Sequence, residues 1–323
     1  MRAGISPGPC APVGLCKSWA LAAAMTGPID WPKISIITPS FNQAAFLESC
    51  LRSVLDEGYP NLEYIVIDGA SEDGSLEVIH RFAKQLSFWV SEPDQGNYPA
   101  VEKGFARATG EIMGWLNSDD LYLPWTLRVV GEIFATLPEV QWITSQYPLL
   151  LSEDGLAVQI RRLEGFNRRA FYRGRNVPLN RFFYTGFIQQ ESTFWRRSLW
   201  ERAGSRLDVT LPLACDFELW GRFWQLAELY GVGVPLAGFR IQKQQKTSLR
   251  FEDYLRDAEI VLQRYGLRKP GPSETMVLRL LRRLPRACVR WLPEGVAYST
   301  KLILSKEVEQ RSFTWRVIEG RFI

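Results

Sequence analysis

Short apolar segments alternate with segments of helical periodicity from Lys33 to residue 145, and this alternation limits the possible folds more than any other feature of the chain. The run ISIIT at 34–38 is rich in β-branched residues, which is typical of a buried strand. The predicted strands lie at 34–38, 63–69, 88–96, 111–117 and 140–145, and the predicted helices at 44–57, 75–83, 98–108 and 121–137. Strands that alternate with helices predict an α/β fold with a mostly parallel, Rossmann-like sheet and helices on both faces.

Polar residues stand where the predicted strands end. They are Thr38–Ser40, Asp68, Asp94–Gln95 and Asn117–Asp120. Because ligands of parallel sheets bind beyond the carboxyl ends of the strands, we expect these side chains to form one site. Asp119 and Asp120 directly follow an apolar strand, and burying two carboxylates is costly without a positive partner. The pair therefore indicates a positive partner at this point, although an Asx-turn or a helix N-cap would also use such residues.

Composition excludes several classes of protein. The chain has 323 residues, of which 46% are hydrophobic, so a folded core is expected. A net charge of +4 does not indicate a nucleic-acid-binding protein. His80 is the single histidine, which argues against a Ser-His-Asp triad or a multi-histidine metal site, and we expect it to pack on an apolar helix face. The five cysteines are dispersed without CxxC spacing, so neither a disulfide framework nor a zinc site is predicted.

The two ends of the chain differ from its middle. We expect residues 1–30 to be a disordered extension, and Met25 is a natural alternative start. The sequence contains no run of about 18 apolar residues, so no transmembrane helix is predicted. Residues 267–323 are predicted to form a basic, helical C-terminal extension that follows the linker-like stretch RKPGPSE. Its segment 276–292 is amphipathic and basic, which predicts either contact with a membrane surface or packing on the preceding domain.

Two longer stretches resemble a known family. They are ISIITPSFNQAAFLESCLRSVLDEGYPNLEYIVIDGASEDGS and SEPDQGNYPAVEKGFARATGEIMGWLNSDD, and they resemble the nucleotide-binding half of family 2 glycosyltransferases. The resemblance implies a GT-A fold over about residues 31–266, with a nucleotide-sugar-binding half at 33–145 and an acceptor half at 146–266. It also implies inverting transfer from a nucleotide-sugar, usually a UDP-sugar, with Mg²⁺ or Mn²⁺ as cofactor. The expected acceptor is a hydroxyl of a polysaccharide or glycolipid.

The resemblance assigns roles to residues of this chain. The expected nucleotide-binding residues are Thr38, Pro39, Ser40, Asn42, Asp68, Asp94, Lys103, Asn117 and Ser118. Asp119 and Asp120 are the expected metal ligands, because NSDD stands at the family's DxD position. Such an enzyme acts in the cytoplasm, in some cases on the inner face of the cell membrane.

The acceptor half resembles the family less closely. LACDFELWGRFWQL at 213–226 is similar to the segment that supplies the catalytic base, and it implies Asp216 as base with Glu218 as second choice. An inverting transfer needs such a base to take the proton of the acceptor hydroxyl. QQESTFWRR at 189–197 places Gln190 and Glu191 beside the acceptor, or at the rim of an ordinary strand. Arg240, Lys243 and Lys246 would contact a diphosphate or an anionic acceptor, or remain solvated.

The chain also departs from the family pattern. Asn117 replaces the first Asp of DxD, Cys215 replaces a Glu, and Gln242 stands where relatives often carry a histidine. These changes leave open a catalytically inactive, nucleotide-binding or membrane-associated scaffold with the same fold. A nucleotidyltransferase would need a Gly-rich, basic loop after the first strand, a glycoside hydrolase needs no nucleotide pocket, and a dinucleotide oxidoreductase would need GxGxxG.

Overall fold

A computed structural model describes most of the chain. The described residues are 29–178, 184–242, 245, 249–266, 272–281, 283, 286–289, 291–293, 297–308 and 312–322. Most of the predicted N-terminal extension, residues 1–28, lies outside them, as do Lys243 and Lys246.

Strands and helices alternate as predicted through the first half. The strands are β1 Ile34–Ser40, β2 Leu62–Asp68, β3 Phe88–Ser91, β4 Ile112–Trp115, β5 Leu121–Tyr122, β6 Trp142–Ser145, β7 Leu149–Leu151, β8 Ala157–Ile160, β9 Phe194–Arg196, β10 Leu229–Val232, β11 Ala237–Arg240, β12 Tyr298–Val308 and β13 Ser312–Phe322. The α-helices are α1 Ala44–Leu55, α2 Ser75–Phe82, α3 Asn97–Arg107, α4 Thr126–Thr136, α5 Arg168–Tyr172, α6 Arg197–Arg202, α7 Cys215–Leu226, α8 Phe251–Arg264, α9 Pro272–Leu281 and α10 Arg286–Val289. A 3₁₀ turn covers Gln190–Ser192.

The central sheet positions the polar strand ends. Within the described residues it has nine strands in the order β13-β12-β10-β6-β9-β4-β1-β2-β3. β1 pairs in parallel with both β2 and β4, and β2 pairs in parallel with β3. β9 lies antiparallel between β4 and β6. The four strands that precede the predicted site are thus neighbours running in one direction, which brings their carboxyl ends to the same edge.

Both faces of this sheet are buried, as expected for a sheet built mainly from parallel strands. Alternate residues of β1 enter opposite cores, with Ile36 on one face and Ile37 on the other. Helices α1, α2 and α4 cover the first face, and α3, α7 and α8 cover the second. A smaller sheet of order β5-β11-β7-β8 lies beside the acidic loop, because β5 directly follows that loop.

Two segments differ from the prediction. The predicted helix 121–137 begins only at Thr126, since Leu121 and Tyr122 pair with Gly238 and Ala237 of β11. Beyond residue 267, the structure has helices α9 and α10 but also the hairpin β12–β13, where only helix was expected. β12 pairs in parallel with β10, so residues 298–322 extend the central sheet and the boundary at 266 does not separate them from it.

His80 also differs in part from its expected environment. It is exposed on α2, although its ring packs edge-on against Trp89 at a centroid distance of 4.9 Å. The expected contact with an apolar neighbour is therefore present, but on the surface.

Glu63 is expected to make the stability of the fold depend on pH. Its buried carboxylate accepts hydrogen bonds from Lys33 (2.8 Å), the Ser35 hydroxyl (2.5 Å) and both the amide and the hydroxyl of Thr109 (2.6 Å each). Burial alone would raise the pKa of Glu63, but these donors lower it to about 2. A lowered folded-state pKa stabilises the fold above the ordinary value near 4.5, and that stability is lost as pH falls towards 2.

We therefore expect Glu63→Gln to cost on the order of 2–3 kcal/mol at pH 7. Urea denaturation between pH 7 and 3 measures the effect. The difference between the variant and the wild type should shrink as pH falls. A difference that is the same at every pH would contradict the assignment of the stability to the ionised carboxylate.

Candidate active site

The loops after β1, β2, β3 and β4 are joined by backbone hydrogen bonds at the carboxyl edge of the sheet. The Gly69 amide donates to Ser40 O at 2.8 Å, and the Glu92 amide donates to Asp68 O at 3.0 Å. On the other side of β1, the Leu116 amide donates to Ile37 O at 2.9 Å. The strand ends that the sequence predicted to converge therefore do so.

Asp68 organises the loop after β2. Its carboxylate, which is fully buried, accepts from the amide (2.9 Å) and hydroxyl (2.6 Å) of Ser71 and from the Ser91 hydroxyl (2.7 Å). Ser71 in turn accepts from the Asn42 amide at 2.8 Å, and the Asn42 side chain accepts from the Glu72 amide at 2.9 Å. Asn42 is exposed and has a left-handed backbone conformation with φ 52°. Asn42 therefore lies at the protein surface, whereas the buried Asp68 holds the loop from the interior.

The other predicted nucleotide-binding residues divide between surface and interior. Thr38 is fully buried and its hydroxyl is 2.9 Å from the Tyr64 hydroxyl, so its side chain contacts the core. Pro39 and Ser40 are buried at the end of β1, and none of the described residues forms a hydrogen bond with Ser40 Oγ. Asp94 is half-buried and its Oδ1 accepts from the Gly96 amide at 2.8 Å.

Two further features lie on the rim of this edge. The Lys103 ammonium forms an ion pair with Glu92, so the structure places it beside β3 and not against the acidic loop. Phe41, which the sequence analysis did not single out, exposes 56% of its surface directly after β1. An exposed aromatic ring at a ligand-binding edge offers a flat apolar face for stacking.

Arg240, the last residue of β11, and Gln242, two residues beyond it, contact the two acids of the loop after β4. The Arg240 amide donates to Asp120 Oδ1 at 2.8 Å, and its Nε donates to Asp119 O at 2.6 Å. Gln242 Nε2 donates to Asp119 Oδ2 at 2.5 Å. The other guanidinium nitrogens of Arg240 donate hydrogen bonds to Glu153 O (2.5 Å) and Ser49 Oγ (3.2 Å). This buried cation therefore positions the loop without forming an ion pair with Asp119 or Asp120.

Electrostatics at this loop favour a bound cation. Burial raises the pKa of Asp119. Burial, and after it the charges of Asp119 and Glu191, raise the pKa of Asp120 well above its usual range. Burial, with smaller contributions from Asp216 and Asp119, raises the pKa of Glu191 to about 8. Several carboxyl groups therefore share a poorly solvated volume in which their ionised forms are disfavoured until a positive charge is present.

The residues present fit a divalent cation. Within the part of the chain that the structure describes, the buried Asp120 Oδ2 has no hydrogen-bond partner, which leaves a carboxylate oxygen available for a ligand. Among the described residues, no group of three His, Cys, Asp or Glu side chains is arranged to hold a metal alone. Mg²⁺ commonly takes one or two protein carboxylates and completes its shell with water and substrate phosphates, so a two-carboxylate site suits it.

A chain of three amide side chains links the acidic loop to the predicted acceptor residues. Asn97 Nδ2 donates to Asn117 Oδ1 at 3.3 Å, and Asn117 Nδ2 donates to Gln190 Oε1 at 3.2 Å. Gln190 Nε2 donates to Trp115 O at 2.5 Å. Gln190 and Glu191 are both buried, so they support the interior of the site and do not lie at the rim of a strand. Ser118, between Asn117 and Asp119, is buried as well.

Asp216 lies in the first turn of α7, where the helix dipole favours a negative charge. It is half-buried, and its carboxylate accepts from the Phe217 amide at 2.8 Å and from Tyr98. Burial raises the pKa of Asp216 to about 6, although these hydrogen bonds act in the opposite direction. Tyr98 and Asn97 are adjacent in α3, so one helix end contacts both Asp216 and the acidic loop.

Glu218, the second candidate base, is engaged elsewhere. Arg222 Nε lies 3.1 Å and 3.0 Å from its two carboxylate oxygens, and Arg222 Nη2 lies 2.8 Å from Oε2. The pair is largely buried, since 16% of the Arg222 side chain and 7% of the Glu218 side chain are exposed. This ion pair engages both carboxylate oxygens of Glu218.

Sequence reasoning missed three contacts of the predicted site residues. It did not identify Tyr98 as a partner of Asp216 or Gln242 as a partner of Asp119, and it left Arg240 as either a ligand contact or a solvated charge. A local signal existed only for Tyr98, which lies in the quoted stretch NYPAVEKG. The other two contacts join residues about 120 positions apart.

Solved structures share the fold of the chain. Staphylococcus aureus TarS 1–349 in complex with UDP-GlcNAc aligns with a TM-score of 0.57 at 14% identity, over 76% of this chain and 70% of that one. The mannosyltransferase PcManGT from Pyrobaculum calidifontis, in complex with GDP-Man and Mn²⁺, aligns with a TM-score of 0.54 at 20% identity, over 82% and 75% of the two chains. The architecture is therefore that of the GT-A glycosyltransferases.

Sequence comparison identifies the family. Residues 35–194 match the family model described as glycosyl transferase family 2. An uncharacterized glycosyltransferase of Nostoc sp. is 34% identical over 107 residues, which are 32% of this chain and 33% of that protein. The matched segment thus spans about a third of the length of this relative. Residues 35–194 therefore form a glycosyl transferase family 2 domain.

Proposed function

We propose that the protein transfers a sugar from a nucleotide-sugar to a hydroxyl group of a saccharide or lipid-linked saccharide, with inversion at the anomeric carbon. The observation that carries the proposal is the buried Asp120 Oδ2, which has no hydrogen-bond partner among the described residues. Its loop lies beside the half-buried Asp216 and the buried Glu191. These carboxyl groups support a cation site and a carboxylate base at one edge of the sheet. The proposed setting is the cytoplasm.

Asp119 and Asp120 would hold Mg²⁺ or Mn²⁺ in this proposal. When bound, such an ion stabilises the negative charge that develops on the diphosphate leaving group. Gln242 and Arg240 keep the two carboxylates in place through the contacts described above. The exposed residues of the edge, Asn42 and Phe41, would contact the nucleoside.

Asp216 would act on the acceptor. Its carboxylate takes the proton of the acceptor hydroxyl, whose oxygen forms a bond to the anomeric carbon while the bond to the diphosphate oxygen breaks. Attack from the face opposite the leaving group inverts the configuration. A pKa of about 6 leaves Asp216 mostly ionised at neutral pH but still basic enough to accept the proton.

A calorimetric titration tests the proposal and identifies the donor base. UDP, GDP and dTDP are each added to the protein with and without Mn²⁺, because the two solved structures with this fold contain a UDP-sugar and GDP-Man. We expect one nucleotide to bind in a metal-dependent manner, with UDP as the first candidate. Binding without any effect of metal would contradict the role of Asp119 and Asp120.

Turnover then separates the enzyme from an inactive scaffold. We expect the bound donor to be consumed when acceptor is supplied, and slow hydrolysis of the donor to be measurable without acceptor. If no nucleotide binds under any condition, the transferase proposal fails and the scaffold interpretation is favoured. Metal-dependent binding with no consumption of donor would equally favour a scaffold.

A further inference from the structure

We infer that the described residues of the segment 276–292, among which Met276, Val277, Leu280, Arg283 and Trp291 are exposed, form a docking surface for an anionic lipid membrane. No described helix has the length and apolarity needed to cross a bilayer, so the inferred contact is peripheral. The inference extends the proposed function, since a lipid-linked acceptor would lie in the membrane that this surface contacts. It rests on the exposure, amphipathic arrangement and charge of the segment.

Apolar side chains on α9 are exposed. Met276, Val277 and Leu280 expose 61%, 51% and 58% of their surfaces. Residues at these spacings lie on one side of a helix, so the three form a continuous apolar stripe. Isolated exposed apolar residues are ordinary, but a stripe along one helix marks an interaction surface.

The fold does not need this stripe for its own packing. Leu281, on the neighbouring side of α9, packs with Leu292 against the small buried cluster of Val289 and Ala297. Ala297 directly precedes β12, which is part of the central sheet. The segment is therefore attached to the catalytic domain through its buried side, while the stripe faces solvent.

Trp291 adds an aromatic ring suited to a lipid headgroup region. It exposes 78% of its surface, the largest exposed fraction among the large hydrophobic residues described. Indole rings prefer the membrane–water interface because they combine an apolar body with a polar N–H group.

Charge identifies the partner as anionic. The stretch MVLRLLRRLPRACVRWL at 276–292 contains five arginines and no acidic residue. Arginines near an anionic bilayer surface are attracted to it, and their long side chains keep the charge in the headgroup region while apolar neighbours insert. A stripe meant to bind a second copy of this chain would place these like charges against each other.

Vesicle sedimentation of the full chain tests the inference. The protein is mixed with vesicles of phosphatidylcholine alone or of phosphatidylcholine and phosphatidylglycerol in equal amounts, without nucleotide or metal. We expect binding to the anionic vesicles to exceed binding to the neutral ones by at least about tenfold, and to weaken as salt is added. Because no donor is present, this result does not depend on the calorimetric test of the proposed function.

Two double variants locate the surface. Val277→Asp with Leu280→Asp removes the apolar stripe, and Arg282→Gln with Arg283→Gln removes two charges. Each is expected to lower vesicle binding by about tenfold or more. The matched control is Leu156→Asp with Val158→Asp, which alters one side chain directly before β8 and one on it. These side chains expose 68% and 57% of their surfaces, and the control should bind as the wild type does.

Three results would contradict binding of this segment to an anionic membrane. Equal binding to neutral and anionic vesicles, or unchanged binding by the Val277→Asp, Leu280→Asp variant, would overturn the inference. So would an absence of vesicle binding together with self-association that this variant abolishes, which would assign the stripe to a second copy of the chain. Circular dichroism of each variant verifies that the fold is retained.

Discussion

Replacing Asp216 with Asn is expected to lower kcat by about 10²–10⁴-fold while leaving the affinity for the donor nucleotide nearly unchanged. Asn retains an oxygen that accepts from the Phe217 amide and from Tyr98, so the first turn of α7 should keep its structure. What Asn lacks is the ability to take a proton. Single-turnover kinetics and nucleotide calorimetry on the same preparation measure the two quantities separately.

The pH dependence of the wild type gives the same role a second test. Burial raises the pKa of Asp216 to about 6, and the base acts only when deprotonated. We therefore expect kcat/KM, which reports the ionisation of the free enzyme, to be constant above about pH 7 and to fall roughly tenfold for each pH unit below 6. A rate that is unchanged down to pH 5 would exclude Asp216 as the base.

Glu218→Gln is the control for this experiment. Glu218 lies in the same helical turn, and its charge is neutralised by Arg222. Its substitution should reduce thermal stability without a large effect on kcat or on the pH profile. If Glu218→Gln were inactive and Asp216→Asn active, the roles of the two residues would have to be exchanged.

The second large effect is expected at the acidic loop. Asp119→Asn should weaken metal-supported nucleotide binding by on the order of a hundredfold, because it removes one of the two carboxylates proposed to hold the cation. Metal-free nucleotide binding should change little. Asp154→Asn, which removes a carboxylate from the exposed turn between β7 and β8, serves as the control and should bind as the wild type does.

Asp120→Asn distinguishes a metal ligand from a structural residue. Without metal, the variant should be more stable than the wild type, since it removes a buried charge that Asp119 and Glu191 repel and can keep the bond from the Arg240 amide. With Mn²⁺, the wild type should gain thermal stability and the variant should not. A metal-induced rise in Tm that the variant retains would contradict the proposed site.

The strands next to the nucleotide edge could be predicted because their signal is local. β1 and β2 are short β-branched runs that are buried on both faces, and the structure places them within two residues of the predicted bounds. The position of Asp68 and of the acidic loop followed directly, since each stands at a strand end. The start of α4 could not be predicted, because pairing of Leu121 and Tyr122 with β11 depends on residues far away in the sequence.

The side-chain contacts within the site could not be predicted either, because they also join residues that are far apart in the sequence. The motif NSDD indicated where a cation would bind, but the contacts of Arg240 and Gln242 with that loop arise from chain segments brought together only by folding. The ion pair of Glu218 with Arg222 could have been predicted from the sequence, because the two residues have i,i+4 spacing on one helix. The C-terminal hairpin was missed because the arginine-rich helical pattern before it dominated the interpretation of residues 267–323.

The pairing of β12 with β10 has a consequence for synthesis of the protein. β10 leaves the ribosome well before β12, so one edge of the nascent central sheet stays uncovered while the intervening residues are made. Strand edges with unpaired backbone N–H and C=O groups pair readily with other chains. Aggregation of the nascent chain is therefore most probable between the synthesis of β10 and that of β12. Shortened versions that stop near residue 266 would keep that edge permanently open. Expression of the catalytic region should therefore include the hairpin up to residue 322, even though every proposed catalytic residue precedes it.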